Sequence, residues 1–129
     1  MLNWEVPAEV VAPYVPPGLE LDLHEGKTYA SIVGFRFLST RIQGVPVPGH
    51  RDFDEVNLRL YVRRRLGTEL RRGVVFVREL VPRRAIARVA RALYNEPYSA
   101  TVMSHDVELA DESDQPPRRV EYAWRWQGE

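Results

Sequence analysis

Gly73-Val-Val-Phe-Val-Arg-Glu-Leu-Val-Pro-Arg-Arg-Ala-Ile-Ala-Arg-Val-Ala-Arg-Ala-Leu-Tyr-Asn-Glu-Pro-Tyr98 is the stretch from which the fold is read. Val74 to Val81 is an apolar, β-branched run interrupted by Arg78 and Glu79, so one side of a strand is expected to be buried while the other carries charge. Pro82 ends that strand. Ile86, Val89, Ala90 and Leu93 then recur at i, i+3, i+4 and i+7, with Arg84, Arg88 and Arg91 on another face, which predicts an amphipathic helix of about three turns. Pro97 disfavours helix in the residue before it, so Asn95-Glu96-Pro97-Tyr98 reads as the polar turn that stops the helix.

Upstream, Val56, Leu58, Leu60 and Val62 alternate with Asn57, Arg59, Tyr61 and Arg63, which predicts a strand with one apolar face and one polar face. Gly67-Thr68 turns this strand back into the quoted stretch. Leu19, Leu21 and Leu23 alternate with Glu20, Asp22 and His24 in the same way, and Glu25-Gly26 reads as a two-residue hairpin loop. Thr28 to Thr40 is apolar on both faces and is expected to be central, with Gly34 marking a bend or a close approach. Leu2 to Val6 alternates around Trp4, and Pro7 to Pro13 reads as a short helical turn. Gln43 to His50 is a proline- and glycine-rich loop. Downstream, Tyr98 to Leu109 reads as one mixed strand, Ala110 to Pro117 as a loop, and Arg119 to Gln127 as an aromatic strand carrying Tyr122, Trp124 and Trp126. Roughly seven strands and one main helix predict an α+β, mostly β fold, a curved antiparallel sheet or partial barrel.

The 129 residues amount to a single domain, residues 1–129, and the strand at the very start suggests the N-terminal part of a longer domain. Formal net charge is zero, which removes the bulk electrostatic argument for nucleic acid or a membrane surface. Arginine clusters such as Arg63-Arg64-Arg65 and Arg71-Arg72 have acidic neighbours and read as solvated surface. With no cysteine, disulfides, thiolate catalysis and Cys-ligated zinc are excluded. No apolar run is long enough to span a membrane and the N-terminus has no signal-peptide layout, so a cytoplasmic location is expected.

Several separated blocks carry a likeness: Met1-Leu-Asn-Trp4, Val33 to Leu38, Gly44 to Arg59, Arg72 to Pro82 and Leu93-Tyr-Asn-Glu-Pro-Tyr98. In that order they resemble the bacterial family DUF2071, whose members are longer, and through it the acetoacetate decarboxylase-like superfamily. The resemblance implies a cone-shaped, mostly antiparallel β-barrel around a cavity. It also implies that a strand and helix lead to a Gly-x-Pro-Lys-Lys turn whose first lysine forms a Schiff base. Here that position falls on Tyr98, followed by Ser99, and Lys27 is the sole lysine of the chain, beside a hairpin turn. Neither tyrosine nor serine forms an imine, so acetoacetate decarboxylase activity is expected to be absent.

The polar residues left to carry chemistry are His50, Arg51, Asp52, Glu55, Asn57, Arg59, Tyr61, Arg78, Glu79, Asn95, Glu96 and Tyr98. Asn57, Arg59 and Tyr61, with Arg78, Glu79 and Asn95, are the candidate ligand contacts, an arginine holding a carboxylate by paired hydrogen bonds; ordinary structural ion pairs are the alternative for Arg78 and Glu79. Glu96 and Tyr98 are the candidate catalytic pair, Glu96 as a general base. His50, Asp52 and Asp54 have the residue types of a metal site, but such residues are common in a solvent loop, and no metal or cofactor is expected. Trp4, Trp124 and Trp126 read as core or sheet-face residues rather than a stacking platform for bases. Three functions remain open: a module binding a small acidic organic ligand, a lysine-independent hydratase, isomerase or hydrolase, and a structural module. A homodimer through unpaired sheet edges is also expected.

Overall fold

The computed structural model of the chain describes residues 1–39, 41–42, 45–46, 52–82, 98–110 and 115–126. The expected helix around Ile86 to Leu93, together with Asn95, Glu96, His50 and Arg51, lies outside the described residues. The fold is mostly β. In chain order the elements are β1 (Leu2–Glu5), α1 (Ala8–Val11), a 3-10 turn (Ala12–Tyr14), β2 (Glu20–Leu21), β3 (Tyr29–Phe37), β4 (Arg41–Ile42), β5 (Val45–Pro46), β6 (Phe53–Leu66), β7 (Glu69–Val81), β8 (Tyr98–Ala100), β9 (Met103–Glu108) and β10 (Arg119–Trp124).

The chain divides into two compact units, the first of residues 1–33 and 57–79, the second of residues 34–56 and 80–129. The long strands β3, β6 and β7 contribute residues to both. In the first unit the strand order is β1-β3-β6-β7, with β2 paired to β6. β1 runs antiparallel to β3 with Asn3 opposite Ser31 and Trp4 opposite Ala30, while Leu21 of β2 lies opposite Val62. Because side chains alternate across a sheet, Ala30, Leu58, Leu60 and Val77 go to one face and Ser31, Arg59, Tyr61 and Arg72 to the other. The apolar set forms the core, where Val11 of α1, Ala30 and Leu60 pack with Val6, Leu21, Leu58 and Val77. The Glu25-Gly26 hairpin forms as the sequence implies: both residues take positive φ, at 51° and 78°, and His24 and Lys27 exchange backbone hydrogen bonds of 2.9 and 3.0 Å.

In the second unit β8 neighbours β7, and β9 pairs antiparallel with β10 from Met103 opposite Trp124 to Glu108 opposite Arg119. The segment read as one mixed strand from Tyr98 to Leu109 is therefore two. At Thr101-Val102 the chain leaves one sheet for another: the Thr101 amide donates to the Val81 carbonyl, and the Val102 carbonyl accepts from Arg125. Gly34 is a close approach, as expected, since a Cβ there would lie 2.8 Å from the Tyr122 ring. Leu80 and Val81 are buried and Phe37 packs on Phe53 with ring centroids 4.8 Å apart. The aromatic strand is only half-buried at Tyr122 and Trp124, and Trp126 and Trp4 are exposed. Each tryptophan lies in, or just beyond, a strand at the rim of a described sheet, where only one side meets protein. No closed barrel forms among the described residues.

Candidate functional site

The polar face of the first unit carries a cleft of about 410 Å³. Three neighbouring strands each supply one polar group to it or beneath it: Asn3 on β1, Ser31 on β3 and Tyr61 on β6. Ser31 is fully buried, and its hydroxyl donates to Asn3 Oδ1 while lying 2.7 Å from the Tyr61 hydroxyl. Arg59, two residues before Tyr61 on the same face, places its guanidinium carbon 5.7 Å from the Tyr61 ring centroid, a cation–π distance. Its Nη2 donates to the Met1 sulfur at 3.0 Å, and its Nε is buried without a hydrogen-bond partner among the described residues. The hydrogen bond between Ser31 and Tyr61 holds the Tyr61 phenol below the usual tyrosine range, against the upward push of burial, and the hydrogen bond and charge of Arg59 add to the lowering.

Asp22, Leu23, His24, Tyr29 and Arg72 complete the wall. The Asp22 amide donates to the Tyr61 carbonyl at 3.0 Å, which fixes this residue just past the end of β2. Its Oδ2 accepts from Arg72 Nε at 3.2 Å, while its Oδ1 is buried without a hydrogen-bond partner among the described residues. Arg72, whose side chain is 71% exposed, is thus held at Nε while it lines the cleft, and a guanidinium of this kind can take a carboxylate in two parallel bonds. The His24 ring meets Tyr29 edge-on, with centroids 6.1 Å apart.

The second unit holds further polar contacts. Asp54 Oδ2 lies 2.8 Å from His105 Nδ1, and His105 Nε2 lies 3.4 Å from Arg36 Nη1. The Tyr122 ring sits beside this imidazole, and burial, reinforced by the charge of Asp54, pushes its phenol up despite Arg36. Glu55, 2% exposed, accepts from the Tyr98 hydroxyl at 3.1 Å. Asp54 and Glu55 are adjacent on β6 and therefore face opposite sides of it.

Among the sequence candidates, Tyr61 lines the cleft and Arg59 supports it from beside the ring. Asn57 and Glu79 are buried, at 3% and 2% exposure, Arg78 is half-buried, and all three are engaged in interactions. Tyr98 is brought to Glu55. Asp52 accepts from the Ser39 amide at 2.7 Å, and no group of three or more His, Asp or Glu able to hold a metal occurs among the described residues. Nor is any helix among them long and apolar enough to cross a membrane. Asn3, Ser31, Asp22, His24, Tyr29 and Arg72 were not singled out by the sequence. The signal for Ser31 is its presence as a small polar residue in a strand apolar on both faces; for Arg72 it is its even spacing from Arg78 on the polar face of β7.

Fold and cleft define a mostly β protein with a polar, arginine-containing hollow on one sheet face. A family model matches residues 1–129, that of DUF2071, described as an uncharacterized conserved protein, and the chain belongs to this family. A curated relative, uncharacterized protein YqjF of Bacillus subtilis (strain 168), is 39% identical over 61 residues. That match covers 46% of the chain and 25% of the relative, so the chain matches about a quarter of that protein's length.

Proposed function

We propose that the protein binds a small organic acid in the cleft of the first unit, with Arg72 as the carboxylate anchor, and that it does no Schiff-base decarboxylation. The observation that carries the reading is the Asp22–Arg72 pair in the wall of the cleft: Asp22 takes the guanidinium at Nε, and the Nη groups are the donors proposed to hold a ligand carboxylate in a hollow of ligand size that Asn3, Leu23, His24, Tyr29 and Tyr61 also line. Arg59, the cation favoured by sequence, serves instead by holding the Tyr61 ring. Two further contacts support the absence of imine chemistry. Tyr98, at the position the family resemblance gives to the lysine, donates to Glu55. Lys27 lies 2.7 Å from Glu5, whose hydrogen bond and charge raise the Lys27 pKa, the opposite of what an imine-forming amine needs. A fold related to the decarboxylase barrel is part of the same proposal.

A thermal-shift screen of small mono- and dicarboxylates tests it. At least one acid is expected to raise the melting temperature of the protein and to leave Arg72→Ala unshifted, with that variant folded by circular dichroism. An acid that stabilises both proteins equally, or a panel that stabilises neither, contradicts the assignment. Self-association is proposed separately, through β1, which ends the strand order of its sheet and exposes Leu2 and Trp4. Light scattering after size exclusion is expected to give a dimer mass, and a monomer at high concentration would rule it out.

A further inference from the structure

The cleft holds more than an anchor for a carboxylate. Tyr61 stands in its wall, with its hydroxyl 2.7 Å from a fully buried serine and 3.9 Å from the Met1 sulfur, and with an arginine over its ring. We infer that Tyr61 is the acid and base of a proton transfer at the carbon beside the ketone of a 2-oxo acid, so that the cleft catalyses enolisation, the shared step of isomerisation and proton exchange. This deepens the binding reading and rests on it.

The chemistry follows from what Ser31 can do. A serine hydroxyl has one proton to give and two lone pairs with which to accept. With Tyr61 as phenol, the phenol donates to Ser31 Oγ and Ser31 donates to Asn3 Oδ1. With Tyr61 as phenolate, the same serine turns its proton onto the phenolate oxygen. The buried hydroxyl thus matches both protonation states without moving a heavy atom, as an acid-base residue requires. Arg59 favours the phenolate through charge and ring contact, and burial opposes it. Other charged or titratable groups of the cleft are Arg72 and His24, of the sign that favours phenolate when protonated, Asp22, which opposes it but is ion-paired to Arg72, and Tyr29, which is uncharged as a phenol.

In the step itself, the substrate carboxylate sits on the Arg72 fork. The Tyr61 phenolate oxygen takes a proton from the carbon next to the ketone; that C–H bond breaks and the Tyr61 O–H bond forms, leaving the phenol. The electron pair becomes the new carbon–carbon double bond as the carbonyl pair moves onto the ketone oxygen. Asn3 lines the cleft and accepts from Ser31 at Oδ1, and in the proposed step its amide NH2 is the donor to that oxygen. Return of the proton from Tyr61 to carbon closes the cycle, and nothing is oxidised or reduced.

Deuterium entry into pyruvate, 2-oxobutyrate and 2-oxoglutarate in heavy water, followed by proton NMR against buffer, tests the inference. For an acid that stabilises the protein, exchange is expected to be accelerated by about 100-fold or more. Tyr61→Phe keeps the ring under Arg59 and is expected to keep the thermal stabilisation by that acid while losing the acceleration. Arg72→Ala is expected to lose both. Ser31→Ala, which acts on Tyr61 by position, is expected to move the pH–rate profile to higher pH. An acid that stabilises the protein without faster exchange, or Tyr61→Phe exchanging at the parent rate, overturns the proton transfer and leaves the binding reading standing. No stabilisation by any of the three overturns the 2-oxo acid assignment, and a shift by other carboxylates alone keeps the anchor.

Discussion

Tyr61 in the first unit and Tyr122 in the second are both half-buried on β-strands, yet their phenols are pushed in opposite directions. Around Tyr61 the neighbours are a serine hydroxyl and a guanidinium, groups able to donate to its anion, and they outweigh burial. Tyr122 has its ring against Gly34 and the His105 imidazole, with the Asp54 carboxylate nearby, and burial prevails. Exposure alone therefore does not say which tyrosine is ready for chemistry. What matters is whether the hydroxyl has a partner that can support its anion. By that criterion the first unit holds a cleft with an ionisable wall, whereas Tyr122 in the second is held in its neutral form.

This contrast is open to attack by substitution. The largest effect is expected from Leu60→Ala, since Leu60 is 1% exposed in the core beneath the polar face. It should lower unfolding free energy by about 2–5 kcal/mol in urea titrations. Gly34→Ala should cost about 1–3 kcal/mol, because the new Cβ would displace the Tyr122 ring. In that variant the Tyr122 phenol is expected to titrate lower, with Tyr61 unchanged; movement of Tyr61 instead would break the assignment of the two environments. Ser31→Ala should cost about 1 kcal/mol and raise the Tyr61 pKa toward its ordinary value without affecting Tyr122. The smallest effect belongs to Glu5→Gln, which removes an exposed ion pair with Lys27 and should leave the melting temperature at neutral pH unchanged.

The two tyrosines also differ in the sign of their linkage to stability. Tyr61, lowered in the fold, adds stability that is present above the unfolded value of 10 and is lost as pH falls through its folded pKa. Tyr122, raised in the fold, adds stability that is present below 10 and is lost as pH rises through its folded pKa. Denaturation across the alkaline range should therefore show Tyr61→Phe losing ground to the parent as pH approaches 10, and Tyr122→Phe gaining on it above 10.

Much of the first unit was legible because period-two alternation is local. Val56 to Arg63 announced which residues share a face, and Glu25-Gly26 announced its turn. Tyr61 and Arg59 were found that way. Arg72 and Asp22 were not, since they meet only because β2 pairs with β6, a register 43 residues long between Glu20 and Arg63 that no local pattern reveals. Ser31 was hidden for a related reason: its partners Asn3 and Tyr61 lie on the two flanking strands. His105 and Asp54, 51 residues apart, became neighbours only through the fold. The break at Thr101-Val102 escaped because a change of sheet need not interrupt β composition.

The most direct test of the account is a spectroscopic pH titration of phenolate absorbance in the intact protein, set beside Tyr61→Phe. Tyr61 is expected to ionise below the ordinary tyrosine value, and that first step should vanish in the variant. A first step that persists in Tyr61→Phe would contradict the claim that this cleft is built around an ionisable tyrosine.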